Sequence, residues 1–369
     1  MGLLRLLFAF SVFLSHTPLQ FHLPLVGAGL AVQSFFVISG FYMALILENK
    51  YAGQRHSYKL FITNRFLRIY PVYWVVLAII VFLAVIKYSF HLVSDENLIV
   101  LFFEYYKNAT PFVIISAFVT DLLRNVTLII NNDYLWRAPH DPAYLLISPA
   151  WTLQIELLFY LLAPFLVRLS LIFLVFLIFL LTLVHNPLPF LINNNSFTVG
   201  FLINLPYFLF GILSFSLYRY IRTRAISNSM LHTIYIVFML IVIFYTMLPF
   251  ASIPLPYYTN GIYLTFLILA LPYTFLLTKN NSFDRAIGVL SYPFYISHML
   301  FIKLLDNVRL LSTHPIYFTI IAFIFALLGS FVLEKFIDKP IDVIRQRRVK
   351  MNTLQGKSKG KNKKNKPTE

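Results

Sequence analysis

No cysteine occurs in the 369 residues. That excludes disulfides, thiolate-ligated metals and a cysteine acyl-enzyme, and says little about compartment. Charge is scarce as well. Asp, Glu, Lys and Arg make up 12% of the chain, against ~25% in soluble domains. A Gly-rich phosphate loop, a His-Glu-x-x-His zinc spacing and a Gly-x-Ser-x-Gly elbow are all missing, so no metal site is expected. Apolar residues fill the space: 59% of the chain is hydrophobic and 18% aromatic. They fall in long continuous runs, where a membrane barrel would show short alternating segments. The fold class read from this is all-α, a polytopic membrane protein.

Spans are expected near residues 3–21, 28–47, 70–88, 148–167, 170–186, 199–217, 230–249, 260–278, 286–305 and 314–334, about ten in all. With that count every strong basic cluster falls on one side, which makes both termini cytoplasmic. Span one lacks a small-residue cleavage site and reads as a retained helix. Residues 91–147 form the largest extracytoplasmic segment. Residues 111–130 tempt a further span, but Asp121 and Arg124 interrupt them, so an interfacial or re-entrant helix is expected there. The membrane domain is taken as 1–340 and residues 341–369 as a basic, disordered cytoplasmic tail. Ten of the 30 Lys and Arg lie between Arg345 and Lys366. That run lacks interleaved aromatics, so it suits topology marking and anionic lipid rather than nucleic acid. No internal repeat supports an inverted-repeat transporter.

Ionisable residues inside spans are costly and mark function. His16, Glu156 and His298 come from three helices and are expected at similar depth, which would let a carboxylate support an imidazole acting as general base. His16 lies 11 residues beyond Arg5, roughly 16 Å along a helix. For each of these groups a packing or structural pairing role is the alternative. Arg65 and Arg68 fall at i, i+3 on one helix face near the inner surface, at the same face as Arg5. Guanidinium forks suit phosphates, and plain positive-inside anchoring is the alternative. Ser39 and Gly40 suit close helix packing.

Several stretches together resemble the acyltransferase 3 family of integral membrane O-acyltransferases, which modify bacterial surface polysaccharides and other sugars. They are Arg5 and His16 with ten residues between, Phe35-Phe36-Val37-Ile38-Ser39-Gly40-Phe41, Arg65-Phe66-Leu67-Arg68-Ile69-Tyr70-Pro71, Pro149-Ala150-Trp151-Thr152-Leu153-Gln154-Ile155-Glu156, Ser291-Tyr292 with Tyr295-Ile296-Ser297-His298, and Asp338-Lys339-Pro340. They stand in the family's order and cover positions 5 to 340. Thr152 and Gln154 depart from the family's usual Ser and Ser or Ala. The resemblance implies catalytic roles for His16 and Glu156, and donor binding by Arg5, Arg65 and Arg68. Ser39, Trp151, Tyr292 and His298 are then supporting residues.

The expected activity is that of a stand-alone O-acyltransferase of the bacterial inner membrane, an O-acetyltransferase without a fused SGNH domain. Acetyl-CoA is the co-substrate and no cofactor is bound. The expected partners are a lipid-linked glycan or surface polysaccharide and membrane lipids, with no nucleic acid. A transporter or flippase for a lipid-linked glycan, and a silent scaffold, are the rivals.

Overall fold

The computed structural model describes residues 1–19, 25–51, 57–89, 110–128, 146–184, 197–248, 256–306 and 314–364. These form helices and no strand. In chain order they are α1 (Gly2–Ser15), α2 (Ala28–Ile46), α3 (Ser57–Ser89), α4 (Pro111–Thr127), α5 (Trp151–Leu166), α6 (Leu171–Val184), α7 (Phe197–Ile221), α8 (Asn228–Ile243), α9 (Pro256–Thr278), α10 (Ser282–Asp306), α11 (Pro315–Leu333) and α12 (Lys339–Lys364). A π turn, Leu47–Tyr51, extends α2, and a second, Glu334–Asp338, joins α11 to α12.

Seven helical segments among the described residues are long and apolar enough to cross a membrane. Three shorter apolar helices, Gly2–Ser15, Leu171–Leu183 and Asn228–Ile243, accompany them. Each span expected from the sequence overlaps one of these segments. Helix α4 falls inside the 91–147 segment. Its Asp121 and Arg124 pair at 2.9 Å, and its last carbonyls are taken up by α3: Tyr73 donates to Asn125 O at 2.5 Å and Trp74 Nε1 to Val126 O at 2.9 Å. Carbonyls at a helix end need such donors. The aromatic, proline-rich piece 134–142 lies outside the described residues.

Two crossings set the bundle's centre, and both depend on glycine. A Cβ on Gly40 of α2 would fall 2.0 Å from Phe208 O of α7, and one on Gly211 of α7 would fall 2.0 Å from Val37 O. The second crossing brings α1 onto α10. A Cβ on Gly2 would meet Asp284 O at 1.7 Å, and Gly288 packs onto the Gly2 backbone. Only small residues let helix backbones approach this closely. Asp284 fixes the same corner: it accepts from the Met1 amine at 2.6 Å, Gly2 N at 2.7 Å and Leu3 N at 2.9 Å. The start of α1 thereby gains acceptors for its orphan N–H groups and a negative charge at its positive pole.

Helix α1 runs parallel to α10, from the Gly2–Asp284 corner to the contact of His16 with His298. The bundle therefore has an arginine end, where Arg5, Arg65 and Arg68 lie, and a histidine end.

The sequence starts the third span at 70, after the Arg65–Arg68 motif. The helix instead begins at Ser57 and passes through Pro71, so both arginines stand on the spanning helix itself. Past residue 340 the chain continues as α12, which reaches Lys364.

Candidate active site

One cavity of about 600 Å³ opens at the arginine end. Arg5, Ser39, Arg65, Arg68, Glu156 and Tyr292 line it, so six of the nine expected site residues meet there. They come from α1, α2, α3, α5 and α10, which the motif spacings alone do not bring together. Six cations and four carboxylates line the wall. A second cavity of about 810 Å³ lies beside Glu48, Tyr58, Arg168 and Arg219, and none of the nine residues lines it.

Glu156 stands in the second turn of α5. Its Oε1 accepts from Ser39 Oγ at 2.8 Å and from the Tyr160 hydroxyl. Two hydroxyl donors therefore meet on one carboxylate oxygen. The family-motif residue Ser39 therefore does more than permit packing: it ties α2 to the carboxylate of α5.

The arginines divide into two kinds. Arg68 is paired with Asp338 in the π turn after α11, and its guanidinium lies 5.8 Å from the Tyr292 ring centroid. The Tyr292 hydroxyl in turn donates to Ile69 O at 2.6 Å. A carboxylate thus already occupies one of the two motif arginines. Arg65 lies over the rings of Phe61 (5.8 Å) and Tyr160 (6.0 Å), and its buried Nε has no hydrogen-bond partner. Among the described residues, neither Arg5 nor Arg65 has a carboxylate at ion-pair distance.

His16 is not part of the cavity wall, nor are His298 and Trp151. Helix α1 stops earlier than the sequence suggests, because Thr17 precedes Pro18 and a residue before proline leaves the helical region. The last turn tightens: His16 N–H and Thr17 N–H bond back to Phe13 O and Leu14 O, each at 3.0 Å. His16 is therefore the exposed C-cap of α1 and not a mid-span residue. Glu156 lies five residues inside its own helix, ~8 Å from the end. The expected His16–Glu156 pair does not form.

His16 pairs with a different neighbour. Its ring centroid is 5.3 Å from that of His298, which is 0% exposed. In both residues Nδ1 contacts a backbone carbonyl: Val12 O at 2.8 Å for His16, and Tyr295 O at 2.6 Å for His298. A carbonyl only accepts, so Nδ1 carries the proton and Nε2 of the neutral ring holds the lone pair. The Nε2 of His298 is buried with no hydrogen-bond partner.

Tyr295 separates the two ends. Its side chain lines the cavity, and its hydroxyl meets Thr152 Oγ1 at 3.1 Å and Pro149 O at 3.4 Å. Its backbone carbonyl holds His298. Trp151 is half-buried at the start of α5 and packs against the apolar core. Tyr160 carried no signal in the sequence, and Tyr295 and Asp338, the partner of Arg68, stand in the family's motifs without an expected site role. The last had a signal: Asp338 is an acidic residue just past the final span, at the face where the arginines gather.

A model of the acyltransferase domain matches residues 1–335, and no SGNH domain is indicated with it. No curated protein and no solved structure matches the chain. With an apolar bundle of spanning helices and a match over nearly its whole length, the chain belongs to the acyltransferase 3 family of membrane acyltransferases.

Proposed function

We propose that the protein is an O-acetyltransferase of the bacterial inner membrane, moving the acetyl group of acetyl-CoA to a hydroxyl of a lipid-linked glycan or surface polysaccharide. The observation that carries this reading is one cavity that holds Arg5 and Arg65, which among the described residues have no carboxylate at ion-pair distance, together with the Ser39–Glu156–Tyr160 cluster. Guanidinium groups that no carboxylate claims suit the phosphates of a nucleotide-bearing donor. The positive-inside rule sets that end in the cytoplasm, where the donor is made.

The acyl end of the donor then lies past Ser39 and Tyr292, at the wall formed by Tyr295. The acceptor arrives from the side of His16, which is exposed. His16 Nε2 takes the hydroxyl proton as the acceptor oxygen bonds to the thioester carbonyl carbon. Collapse of the tetrahedral intermediate breaks the carbon–sulfur bond, and the imidazolium returns the proton to the departing thiolate. Ester and free thiol are the products. Glu156 acts within the cavity, where it orients the Ser39 and Tyr160 hydroxyls, and does not touch the imidazole. His298 backs the His16 ring.

Mass spectrometry of surface glycans tests this in cells lacking the gene, complemented with wild type or with His16→Ala at equal membrane abundance. An acetyl mass lost on deletion and restored by wild type alone is the expected result. Restoration by both forms would remove His16 as the base.

A further inference from the structure

The segment after the last apolar helix is tethered twice to α3. Asp338 pairs with Arg68 at the start of α12. Further along, Arg348 donates to Thr63 Oγ1 at 2.9 Å and to Asn64 Oδ1 at 3.2 Å. Arg345 lies between these tethers. It is only 8% exposed, and it lines the same cavity as Arg5, Arg65 and Glu156. Asp342 comes within 2.9 Å of Nη1 as an ion pair, yet Nε and Nη1 of Arg345 have no hydrogen bond.

A buried donor left unsatisfied costs about 1–3 kcal/mol. Nη1 of Arg345 is met by the Asp342 carboxylate, which leaves its Nε, and Arg65 adds its own Nε in the same cavity. An acceptor with several oxygens and negative charge would satisfy them together, which describes a phosphate. We infer that Arg345, with Arg65, binds a phosphate of the nucleotide-bearing thioester donor, and that the first turns of α12 are part of the donor site. The inference rests on the acetyl-CoA reading above. Arg345 stands beyond the residues the family model matches, which end at 335. An anionic lipid headgroup offers the same phosphate chemistry. The donor is favoured because the cavity that holds Arg345 also contains Ser39 and Glu156.

The test uses the purified full chain in nanodiscs. Acetyl-CoA binding is measured by calorimetry, and KM and kcat by thiol release, for wild type, Arg345→Gln, Arg345→Lys, Asp342→Asn and Arg347→Gln. Arg347 is exposed and absent from the cavity wall, so it serves as the control. Arg345→Gln should weaken acetyl-CoA binding and raise KM about tenfold, with kcat within twofold, because a lost charge-assisted hydrogen bond acts on binding. Arg345→Lys should recover part of the loss. Asp342→Asn should tighten binding about twofold by removing the competing carboxylate, a gain that misfolding does not produce.

Unchanged affinity in Arg345→Gln, where wild type binds acetyl-CoA, overturns the inference and leaves the acetyl-CoA reading intact. Unchanged affinity together with loss of co-purified anionic phospholipid assigns the phosphate to a lipid and also overturns it. Absence of acetyl-CoA binding by wild type overturns both.

Discussion

Helix α1 carries Arg5 near one end and His16 at the other, and the two ends are built on different physics. At the arginine end, charge is met by charge. Arg68 has Asp338, Arg345 has Asp342, and Arg5 and Arg65 line a cavity with no carboxylate at ion-pair distance among the described residues. At the histidine end, backbone carbonyls and aromatic rings do the positioning. Val12 O and Tyr295 O fix the two imidazoles, with Phe13 and Phe294 around them. A carbonyl sets the tautomer without adding a charge, which leaves the lone pair of a neutral ring at Nε2. A charged partner is useful for gripping an anion, whereas an uncharged clamp suits a base that must give its proton back.

The comparison is tested hardest at its two extremes. His16→Ala should lower transfer by about a thousandfold, within the usual range for a general base, while acetyl-CoA affinity stays within twofold. A parallel fall in affinity, measured by calorimetry, would mean that the two ends are not separate. Asp338→Asn attacks the opposite end. It leaves the Arg68 guanidinium, with its side chain only 20% exposed, without its carboxylate. A drop in stability of about 3 kcal/mol is expected, as for a broken buried pair, read from the denaturation midpoint in detergent. An unchanged midpoint would show that Arg68 is satisfied by the Tyr292 ring alone. Arg65→Gln is milder: KM for acetyl-CoA should rise about tenfold with kcat preserved, as when an interaction made equally in ground and transition states is removed.

The helices were legible in the sequence because apolar runs declare themselves. Every expected span overlaps an apolar helical segment. The residues that share a cavity were legible only through the family's motifs, since nothing in the spacing of Ser39, Arg65 and Glu156 says that α2, α3 and α5 meet. The pairing of those residues was not legible. Equal depth is an estimate made from span boundaries, and the boundary of α1 is set by Pro18, which ends the helix at His16. A few residues of error at 1.5 Å each separate a base from a carboxylate. At the end of the chain two buried or packed arginines were not legible, for another reason. Its lysine-rich composition reads as a solvated tail, yet Arg345 and Arg348 occupy the near end of a helix that packs on α3. Composition averages over a segment, whereas packing selects two of its residues.

The finest test concerns the wall between the ends. Tyr295 presents its hydroxyl to Thr152 and Pro149 on the cavity side, while its backbone carbonyl orients His298. These are different atoms, so they are separable by mutation. Tyr295→Phe removes the hydroxyl and keeps the ring and the carbonyl. The loss is one neutral hydrogen bond, about 1 kcal/mol of stability, and transfer should fall by no more than about threefold. Thr152→Val removes the other half of the same contact and also the Thr152 Oγ1 bond to Pro149 O at 2.9 Å, so it should cost somewhat more stability with transfer again within about threefold. If Tyr295→Phe instead approaches the loss of His16→Ala while Thr152→Val stays near wild type, the tyrosine hydroxyl reaches the reacting atoms. The division between the arginine end and the histidine end would then run through Tyr295 itself.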